Sequence, residues 1–314
     1  MIVVEAKQAR EKLDMATCIR LMREGLSALE DGSAMQPLRS VNKLPHGNLF
    51  GFMPAYLGDG NYFGAKVITA FHANAGTEYP SHMGYVMIFE SVHGSFVGMA
   101  DCGVITEIRT GAVSGVATDL LAVRNPKKLA LIGAGAQARS HLAAMLIVRP
   151  GLQQVSVYDI RPEAAQKFAE ESEEKYHIPV QVASDVESAV RDADIICTLT
   201  PSKDPYLKLE WVKKGAHINA VGTFTPVTRE VTSELVAASR LYADQIEAME
   251  KEAGEYLVPL SEGLITREHI KGSIGGLLTG RAEGRTSDED ITLFDALGLA
   301  VEDVICGRYL VCGE

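Results

Sequence analysis

The sequence lacks the features of several common protein classes. Its five cysteines form no Cys-x-x-Cys pair and have no metal-ligand spacing with histidines, so neither a disulfide framework nor a metal site is expected. No apolar run approaches the length of a membrane span, and the first residues show no signal-peptide pattern. We therefore expect a cytoplasmic protein with free thiols and no membrane partner.

Positive charge is also scarce. The formal net charge is -11 at pH 7, which argues against nucleic acid or an anionic membrane surface as the main partner. An anionic ligand must therefore be held by local cations. The 314 residues, of which 46% are hydrophobic and 23% are charged, predict two domains of an ordinary α/β protein.

A glycine-rich turn follows a short apolar run near the middle of the chain. Residues 129–132 have strand character, Gly133, Gly135 and Ala138 follow at the spacing Gly-x-Gly-x-x-Ala, and a helical pattern comes next. In a dinucleotide site the first glycine permits the turn, the second lets the backbone approach a pyrophosphate, and the small third residue lets the helix pack on the strand. The helix N-terminus would add N–H groups for the phosphates. For the glycines alone, a tight turn without a ligand is the alternative.

An acidic residue at the end of the next strand supports the dinucleotide interpretation. Residues 155–158 predict a strand that ends in Asp159, about twenty residues after the glycines, where a carboxylate accepts hydrogen bonds from the adenosine ribose. Because its charge would repel a ribose 2′-phosphate, we expect NAD as the cofactor. Arg161 keeps NADP as an alternative, since a guanidinium there can pair with that phosphate.

The N-terminal part predicts a mainly antiparallel α+β unit. Asp14 is the expected N-cap of an amphipathic helix that ends near Gly32. Glycine-containing turns, one of them at Gly58-Asp59-Gly60, separate several strand patterns. These patterns cover residues 48–56, 62–69, 85–91 and 96–101.

The later part predicts a Rossmann-type doubly wound parallel sheet, so the fold class is α/β. Six strands alternate with helical or polar stretches, at residues 129–132, 155–158, 180–183, 195–199, 217–221 and 241–243. A long helix beginning at Thr106 leads into this sheet. A capped amphipathic pattern from Thr286 predicts a last helix that folds back on the N-terminal part. We therefore expect a discontinuous domain of residues 1–121 and 293–314, and a dinucleotide-binding domain of residues 122–292.

Three cations of the N-terminal part occur in apolar surroundings. Arg39 follows Pro37 and Leu38, Lys66 lies inside a strand pattern, and Arg109 begins the long helix. Each of them, taken singly, fits a solvated or ion-paired side chain as well as it fits an anion site.

Several short motifs follow one another in a fixed order along nearly the whole chain. They are Pro37-Leu38-Arg39-Ser40, Phe63-Gly64-Ala65-Lys66, Thr106-Glu107-Ile108-Arg109-Thr110-Gly111-Ala112, the glycine loop from Gly133 to Ala138, Asn219-Ala220-Val221-Gly222, Ala253-Gly254-Glu255, and the stretch from Thr292 to Asp303. Together they resemble the ornithine cyclodeaminase/μ-crystallin family. The resemblance implies a homodimer formed through the N-terminal domain, with the active site in the cleft between the domains. It also implies that Arg39, Lys66 and Arg109 bind the α-carboxylate of a small amino or imino acid.

The members of this family share hydride exchange at the α-carbon of an amino acid or its imine. Its cyclodeaminases carry a Gly-Asp-Cys-Pro segment, whose aspartate handles the distal ammonium of ornithine; here Phe224 stands at that place, in Gly222-Thr223-Phe224-Thr225-Pro226. A phenylalanine favours an apolar or cyclic side chain. We therefore expect a reductase of cyclic ketimines of the pyrroline-2-carboxylate type, or an enzyme like alanine dehydrogenase, with Lys66 as the proton donor. The alternatives are an ornithine cyclodeaminase, which converts L-ornithine to L-proline and ammonia with catalytic NAD, and a μ-crystallin-like binding protein.

Other candidate residues complete the two predicted sites. His82, in a polar turn before a strand, is a candidate substrate contact or second acid, with an ordinary loop histidine as the alternative. Phe224 is a candidate substrate contact as well. The candidate cofactor-binding residues are Gly133, Gly135, Ala136, Gln137, Ala138, Asp159, Arg161, Thr200, Pro201 and Thr223.

Overall fold

The computed structural model describes residues 1–58, 61–74 and 77–313. Two residues of the predicted turn, Asp59 and Gly60, lie outside the described residues. The chain divides into two compact units: unit 1 comprises residues 1–112 and 298–314, and unit 2 comprises residues 113–297. The predicted domain boundaries, after residues 121 and 292, therefore differ by several residues from the boundaries of these units.

The first part of the chain contains the strands of one sheet, with helices near its start and after its last strand. Its elements are β1 (Ile2–Val4), α1 (Ala6–Lys12), α2 (Met15–Asp31), β2 (Ser40–Lys43), β3 (Leu49–Tyr56), β4 (Tyr62–Ala70), β5 (His82–Glu90), β6 (Phe96–Asp101) and α3 (Cys102–Leu121). The Asp14 side chain accepts a hydrogen bond from the Thr17 backbone N–H at 2.9 Å, and Gly32 ends α2 in the left-handed conformation, so the predicted cap and stop of this helix are confirmed.

The rest of the chain is a regular succession of strands and helices. Its elements are β7 (Lys128–Ile132), α4 (Ala136–Val148), β8 (Gln154–Tyr158), α5 (Pro162–Tyr176), β9 (Val180–Val182), α6 (Val186–Val190), β10 (Ile195–Thr198), β11 (His217–Ala220), α7 (Ser233–Ala238), β12 (Ser239–Ala243), α8 (Ile246–Glu252), α9 (Gly254–Ser261), β13 (Ile270–Ser273), α10 (Ile274–Leu278), β14 (Ile291–Asp295) and α11 (Ala300–Cys312). Short 3-10 turns lie at Pro45–Gly47, His72–Asn74, Leu209–Trp211 and Arg267–His269.

The sheet of unit 1 has two unlike faces. Its strand order is β1-β6-β5-β4-β3-β2, antiparallel except that β1 runs parallel to β6. Helix α11 packs against one face, toward which Lys66 points. The side chains that alternate with these residues form an apolar sheet face on the opposite side, where Phe52 lies beside Val67. On this face Phe50, Phe52 and Met83 are 38%, 42% and 38% exposed.

Unit 2 contains an eight-stranded parallel sheet in the order β13-β12-β14-β11-β10-β7-β8-β9. Six of its strands follow the doubly wound order, in which the chain starts at β7, moves outward through β8 and β9, and returns to the other side of β7 at β10. The predicted α/β class with a Rossmann-type sheet is confirmed. In such sheets ligands bind outside the carboxyl ends of the strands where the order reverses, which is between β7 and β10 here.

Several predicted elements are wrong. The pattern from Thr286 is not one helix: Ile291–Asp295 forms β14 between β11 and β12, and α11 begins only at Ala300. All five residues of β14 are buried, so the strand shows no alternation that would distinguish it from a buried helix. The predicted six strands are therefore eight, since β13 was missed as well.

Two predicted site residues lie in other elements than expected. Helix α3 begins at Cys102, so Arg109 lies inside this helix and not at its start. His82 is the first residue of β5 and not part of the preceding turn. Among the described residues, no helix combines the length and the apolar character that a membrane crossing requires.

Candidate active site

The glycine turn of unit 2 has the form that phosphate binding requires. Gly133 has a φ of +102°, and a Cβ there would lie 2.8 Å from the Leu199 carbonyl oxygen, so the turn excludes a side chain. A Cβ at Gly135 would meet no atom within 4 Å, which leaves open space in front of the backbone. Gly135 is also the N-cap of α4 and supplies no capping side chain to the first N–H groups of this helix, at Ala136 and Gln137. Ala138 is fully buried in the core of the unit.

Two charged side chains hold this turn in place. The Asp159 carboxylate accepts a hydrogen bond from the Ala134 backbone N–H at 2.9 Å and another from the Arg161 backbone N–H, two residues further along the chain, at 2.9 Å. From the other side, the Arg139 guanidinium donates to the Ala134 and Gly135 carbonyl oxygens and pairs with Glu171 on α5. Asp159 therefore fixes the glycine turn from the end of β8, a role that its spacing alone did not predict.

The loops that follow β10 and β11 lie at the same edge of the sheet as the glycine turn, which follows β7. The Thr200 backbone N–H and hydroxyl both donate to the buried Glu230 carboxylate, at 2.7 and 2.6 Å. The Gly222 N–H donates to the other oxygen of Glu230 at 2.8 Å. Three predicted residues continue these loops: Pro201 is exposed, Thr223 is buried, and Phe224 is 48% exposed.

In unit 1, the Lys66 ammonium lies in a buried ion pair. Its Nζ is 2.6 Å from Asp303 Oδ2 on α11, and the two residues are 3% and 0% exposed. Burial lowers the pKa of Lys66, the Asp303 charge acts in the opposite direction, and the nearby Arg109 lowers the pKa further. The ammonium is therefore a readier proton donor than an exposed lysine.

Arg109 shares the same carboxylates. Its Nη1 donates to Glu302 Oε2 at 2.8 Å, and its Nε lies 3.3 Å from Asp303 Oδ1. Glu302 and Asp303 are in the first turn of α11, where the helix dipole favours negative charge. Two buried cations thus meet two buried carboxylates.

Arg39 joins this cluster through the turn before α11. Its Nη2 donates to the Gly298 carbonyl oxygen at 2.9 Å. Gly298 has a φ of +78°, and a Cβ there would lie 2.5 Å from Arg109 Nη1. The absence of a side chain at Gly298 therefore lets both guanidinium groups approach the same backbone turn.

The three predicted cations thus lie in one place, which we call the cation cluster (Arg39, Lys66 and Arg109). With the charges of Glu302 and Asp303 included, the formal net charge of the five side chains is +1. Such a cluster can receive one carboxylate without excess charge, through guanidinium forks and an ammonium. His82 lies outside it, four residues along β5 from Val86, the residue paired with Lys66.

The two carboxylates that hold these cations were not predicted from the sequence. Glu302 and Asp303 belong to the C-terminal motif, but their partners are nearly two hundred or more residues away along the chain. A signal was present, since two acids interrupt a run of apolar residues in α11. Acids in such surroundings are rarely buried without a cationic partner.

A group of buried carboxyls also lies at the carboxyl edge of the sheet of unit 2. Burial raises the pKa of Glu255 to about 8, and burial raises the pKa of Asp295 well above its usual range. Glu255 accepts hydrogen bonds from the Glu230 and Val231 backbone N–H groups, at 2.6 and 3.3 Å. At neutral pH the folded protein therefore keeps a proton on Glu255 that the unfolded chain releases.

Because of this proton, we expect the free energy of unfolding to fall as the pH rises. A carboxyl with a raised pKa in the folded state stabilises fully below its ordinary pKa of 4.5, and this contribution is lost as the pH rises through about 8. Between about pH 7 and 8, Glu255→Gln should flatten the dependence of the unfolding free energy on pH by about 1 kcal/mol per pH unit in urea titrations. The control Glu234→Gln changes an exposed glutamate and should keep the wild-type slope. An unchanged slope in Glu255→Gln would show that this carboxyl does not carry the proton.

Removal of the Asp303 charge should strongly destabilise the protein. Asp303→Asn keeps the shape of the side chain but leaves the buried Lys66 and Arg109 with one carboxylate between them. We expect a loss of about 3 to 5 kcal/mol in the free energy of unfolding, measured by urea denaturation. Asp204→Asn, at an exposed aspartate, should change it by less than about 0.5 kcal/mol. Equal stabilities of the two variants would contradict the buried ion pairs.

Comparison with known proteins identifies the family of the chain. The model of the ornithine cyclodeaminase/mu-crystallin family matches residues 1–311. Ketimine reductase mu-crystallin of Mus musculus is 36% identical over 279 residues, which are 88% of this chain and 85% of that protein.

Two solved structures are similar along nearly their whole length. Delta(1)-pyrroline-2-carboxylate reductase of Thermococcus litoralis, in complex with NADH and L-proline, has 33% identity and a TM-score of 0.94, and the match covers 99% of this chain and 96% of that one. An archaeal alanine dehydrogenase dimer with bound NAD has 30% identity and a TM-score of 0.93, with 99% and 95% covered. The chain belongs to the ornithine cyclodeaminase/mu-crystallin family.

Proposed function

We propose that this protein is an NAD(P)-dependent oxidoreductase that reduces a small cyclic imino acid of the pyrroline-2-carboxylate type at its α-carbon. The observation that carries the proposal is the cation cluster, whose three side chains are held by buried carboxylates and one carbonyl oxygen. The names of the ketimine and pyrroline-2-carboxylate reductases among its relatives support the same reaction. We assign substrate binding and dimerisation to unit 1 and cofactor binding to unit 2. The five free cysteines fit the cytoplasm.

The residues of unit 2 fit a nicotinamide dinucleotide. The open space at Gly135 and the uncapped N-terminus of α4 suit the pyrophosphate, and Asp159 suits the adenosine ribose. Thr200, Pro201 and Thr223 belong to the loops that follow β10 and β11, on the nicotinamide side. When bound, such a cofactor supplies the hydride.

In unit 1, all three cations act on the substrate carboxylate, and Lys66 has a second role. Arg39 and Arg109 present paired N–H groups that fix the substrate carboxylate, so the α-carbon keeps one orientation. Lys66 contributes charge to the same carboxylate and donates a proton to the imine nitrogen as that nitrogen becomes an amine. Its lowered pKa assists this transfer, and Asp303 keeps the ammonium charged and oriented.

The substrate side chain is expected to be small and without a distal charge. Phe224 offers an apolar surface where a cyclodeaminase uses an aspartate, which disfavours ornithine. Reductive amination of a 2-oxo acid is the second candidate, because the archaeal relative of known structure is named as an alanine dehydrogenase.

We further propose that unit 1 forms a homodimer through its apolar sheet face. Phe50, Phe52 and Met83 would otherwise expose large side chains on one flat surface. A second copy of the chain is the occupant that we favour, since the archaeal relative is described as a dimer.

Lys66→Met should abolish turnover without loss of the cofactor. We expect NADH oxidation with pyrroline-2-carboxylate to fall by a factor of about 100 or more, because the variant lacks the proton donor and part of the carboxylate charge. Binding of NADH, followed by its fluorescence, should change less than about twofold, since the cofactor residues belong to unit 2. Lys12→Met, at an exposed lysine, is the matched control and should keep wild-type rates.

The same assay distinguishes the candidate reactions in the wild-type protein. Oxidation of NADH or NADPH with pyrroline-2-carboxylate or piperideine-2-carboxylate would support the proposal, and a rate only with pyruvate plus ammonia would support the second candidate. Ammonia released from ornithine with catalytic NAD would contradict both. Ligand binding without any turnover would indicate a binding protein.

A charge on the apolar sheet face should separate the dimer. Phe52→Glu places a carboxylate on this face, and we expect monomers in sedimentation velocity experiments, because burial of an unpaired charge in an interface is costly. Ile147→Glu changes a similarly exposed apolar residue of unit 2 and should remain dimeric. Dimers of both variants would place the interface elsewhere, and a monomeric wild type would refute it.

A further inference from the structure

The Glu230 carboxylate of unit 2 is completely buried and accepts four hydrogen bonds. Its Oε1 accepts hydrogen bonds from the Thr200 N–H at 2.7 Å, the Thr200 hydroxyl at 2.6 Å and the Tyr206 hydroxyl at 2.7 Å. Its Oε2 accepts from the Gly222 N–H at 2.8 Å. All four contacts are donors, so the side chain acts only as an acceptor. One side chain thus joins the loop after β10 to the loop after β11.

The backbones of these two loops approach each other so closely that a side chain at Gly222 would clash. A Cβ at Gly222 would lie 2.0 Å from the Thr200 carbonyl oxygen, 2.5 Å from the Thr200 nitrogen and 2.7 Å from Glu230 Oε2. Only glycine can occupy this position. Glu255 fixes the backbone of Glu230, because its side chain accepts a hydrogen bond from the Glu230 N–H at 2.6 Å.

The joined loops are next to the glycine turn. A Cβ at Gly133 would lie 2.8 Å from the Leu199 carbonyl oxygen and 3.3 Å from Thr200 Cγ2. The strands β7 and β10 are neighbours, with Ile132 opposite Thr198, and the strand order reverses between them. A dinucleotide whose phosphates lie at the glycine turn therefore has its nicotinamide half beside Thr200 and Gly222.

We propose that Glu230 is a positioning residue, which fixes the Thr200 and Gly222 loops as the binding surface for the nicotinamide half of the cofactor. This inference rests on the proposed cofactor, but it does not depend on which acid is reduced. Glu230 acts through the two loops and does not itself touch the reacting atoms.

The experiment compares two ligands that share the adenosine and the pyrophosphate. ADP lacks the nicotinamide and its ribose, so its binding reports on the adenosine and pyrophosphate contacts, whereas NADH binding reports on both halves. In calorimetric titrations of Glu230→Gln, we expect the dissociation constant of NADH to rise at least about tenfold and that of ADP to change less than about twofold, because an amide nitrogen would face one of the N–H donors.

Two further variants keep the test decisive if Glu230→Gln folds poorly. Tyr206→Phe removes one donor to the carboxylate and should weaken NADH binding in the same sense by a smaller factor. Glu230→Asp keeps the charge and should recover part of the loss. The matched control Glu234→Gln changes an exposed glutamate of α7 and should bind both ligands as the wild type does.

Two results would overturn the inference. Equal weakening of both ligands would show a general structural role for Glu230. Unchanged NADH binding, or a wild-type protein that binds NADH no more tightly than ADP, would show that the loops give the nicotinamide half no binding energy. Failure of the proposed reaction is distinguishable, since a protein that binds NADH but reduces no imine still gives the binding comparison.

Discussion

Burial of positive charge beside paired carboxylates is the constraint on which unit 1 depends. An ammonium and a guanidinium removed from water cost several kcal/mol each, and only close opposite charges offset that cost. Asp303 contacts both cations, and Glu302 engages Arg109 a second time. Because both acids belong to the first turn of α11, a helix from the far end of the chain completes the site. The cations are therefore oriented before any ligand arrives, which reduces the entropy lost on binding.

Unit 2 uses a buried carboxylate differently, to organise backbone. Glu230 satisfies two backbone N–H groups that the ends of β10 and β11 leave without strand partners. The pKa of the neighbouring Glu255 is raised mainly by its burial, and the nearby Glu230 acts in the same direction through its charge. Buried acids thus fix the positions of cations in unit 1 and of loops in unit 2.

Much of this arrangement was predictable from sequence, and what was missed has physical reasons. The glycine turn, Asp159 and the capped helix α2 were found, because each is a local signal whose partners lie within a few tens of residues. Strand β14 was missed because its residues are all buried, so hydrophobic periodicity carries no information. Glu302 and Glu230 were missed because the function of a buried acid depends on partners that only the fold brings near. The apolar neighbours of Glu302 in α11 indicate a buried acid but not which cation it contacts.

In the proposed cofactor site, the way in which Asp159 is held bears on the choice between NAD and NADP. Its side chain is only 9% exposed, and each of its oxygens accepts a backbone N–H, so the carboxylate is held in one orientation. A 2′-phosphate there would meet a fixed negative charge. Arg161, whose side chain is 64% exposed, lies 3.4 Å from Asp159, and such an exposed pair contributes little. The guanidinium can therefore soften the repulsion of a phosphate but cannot remove it, and the fixed carboxylate favours two free ribose hydroxyls, as in NADH.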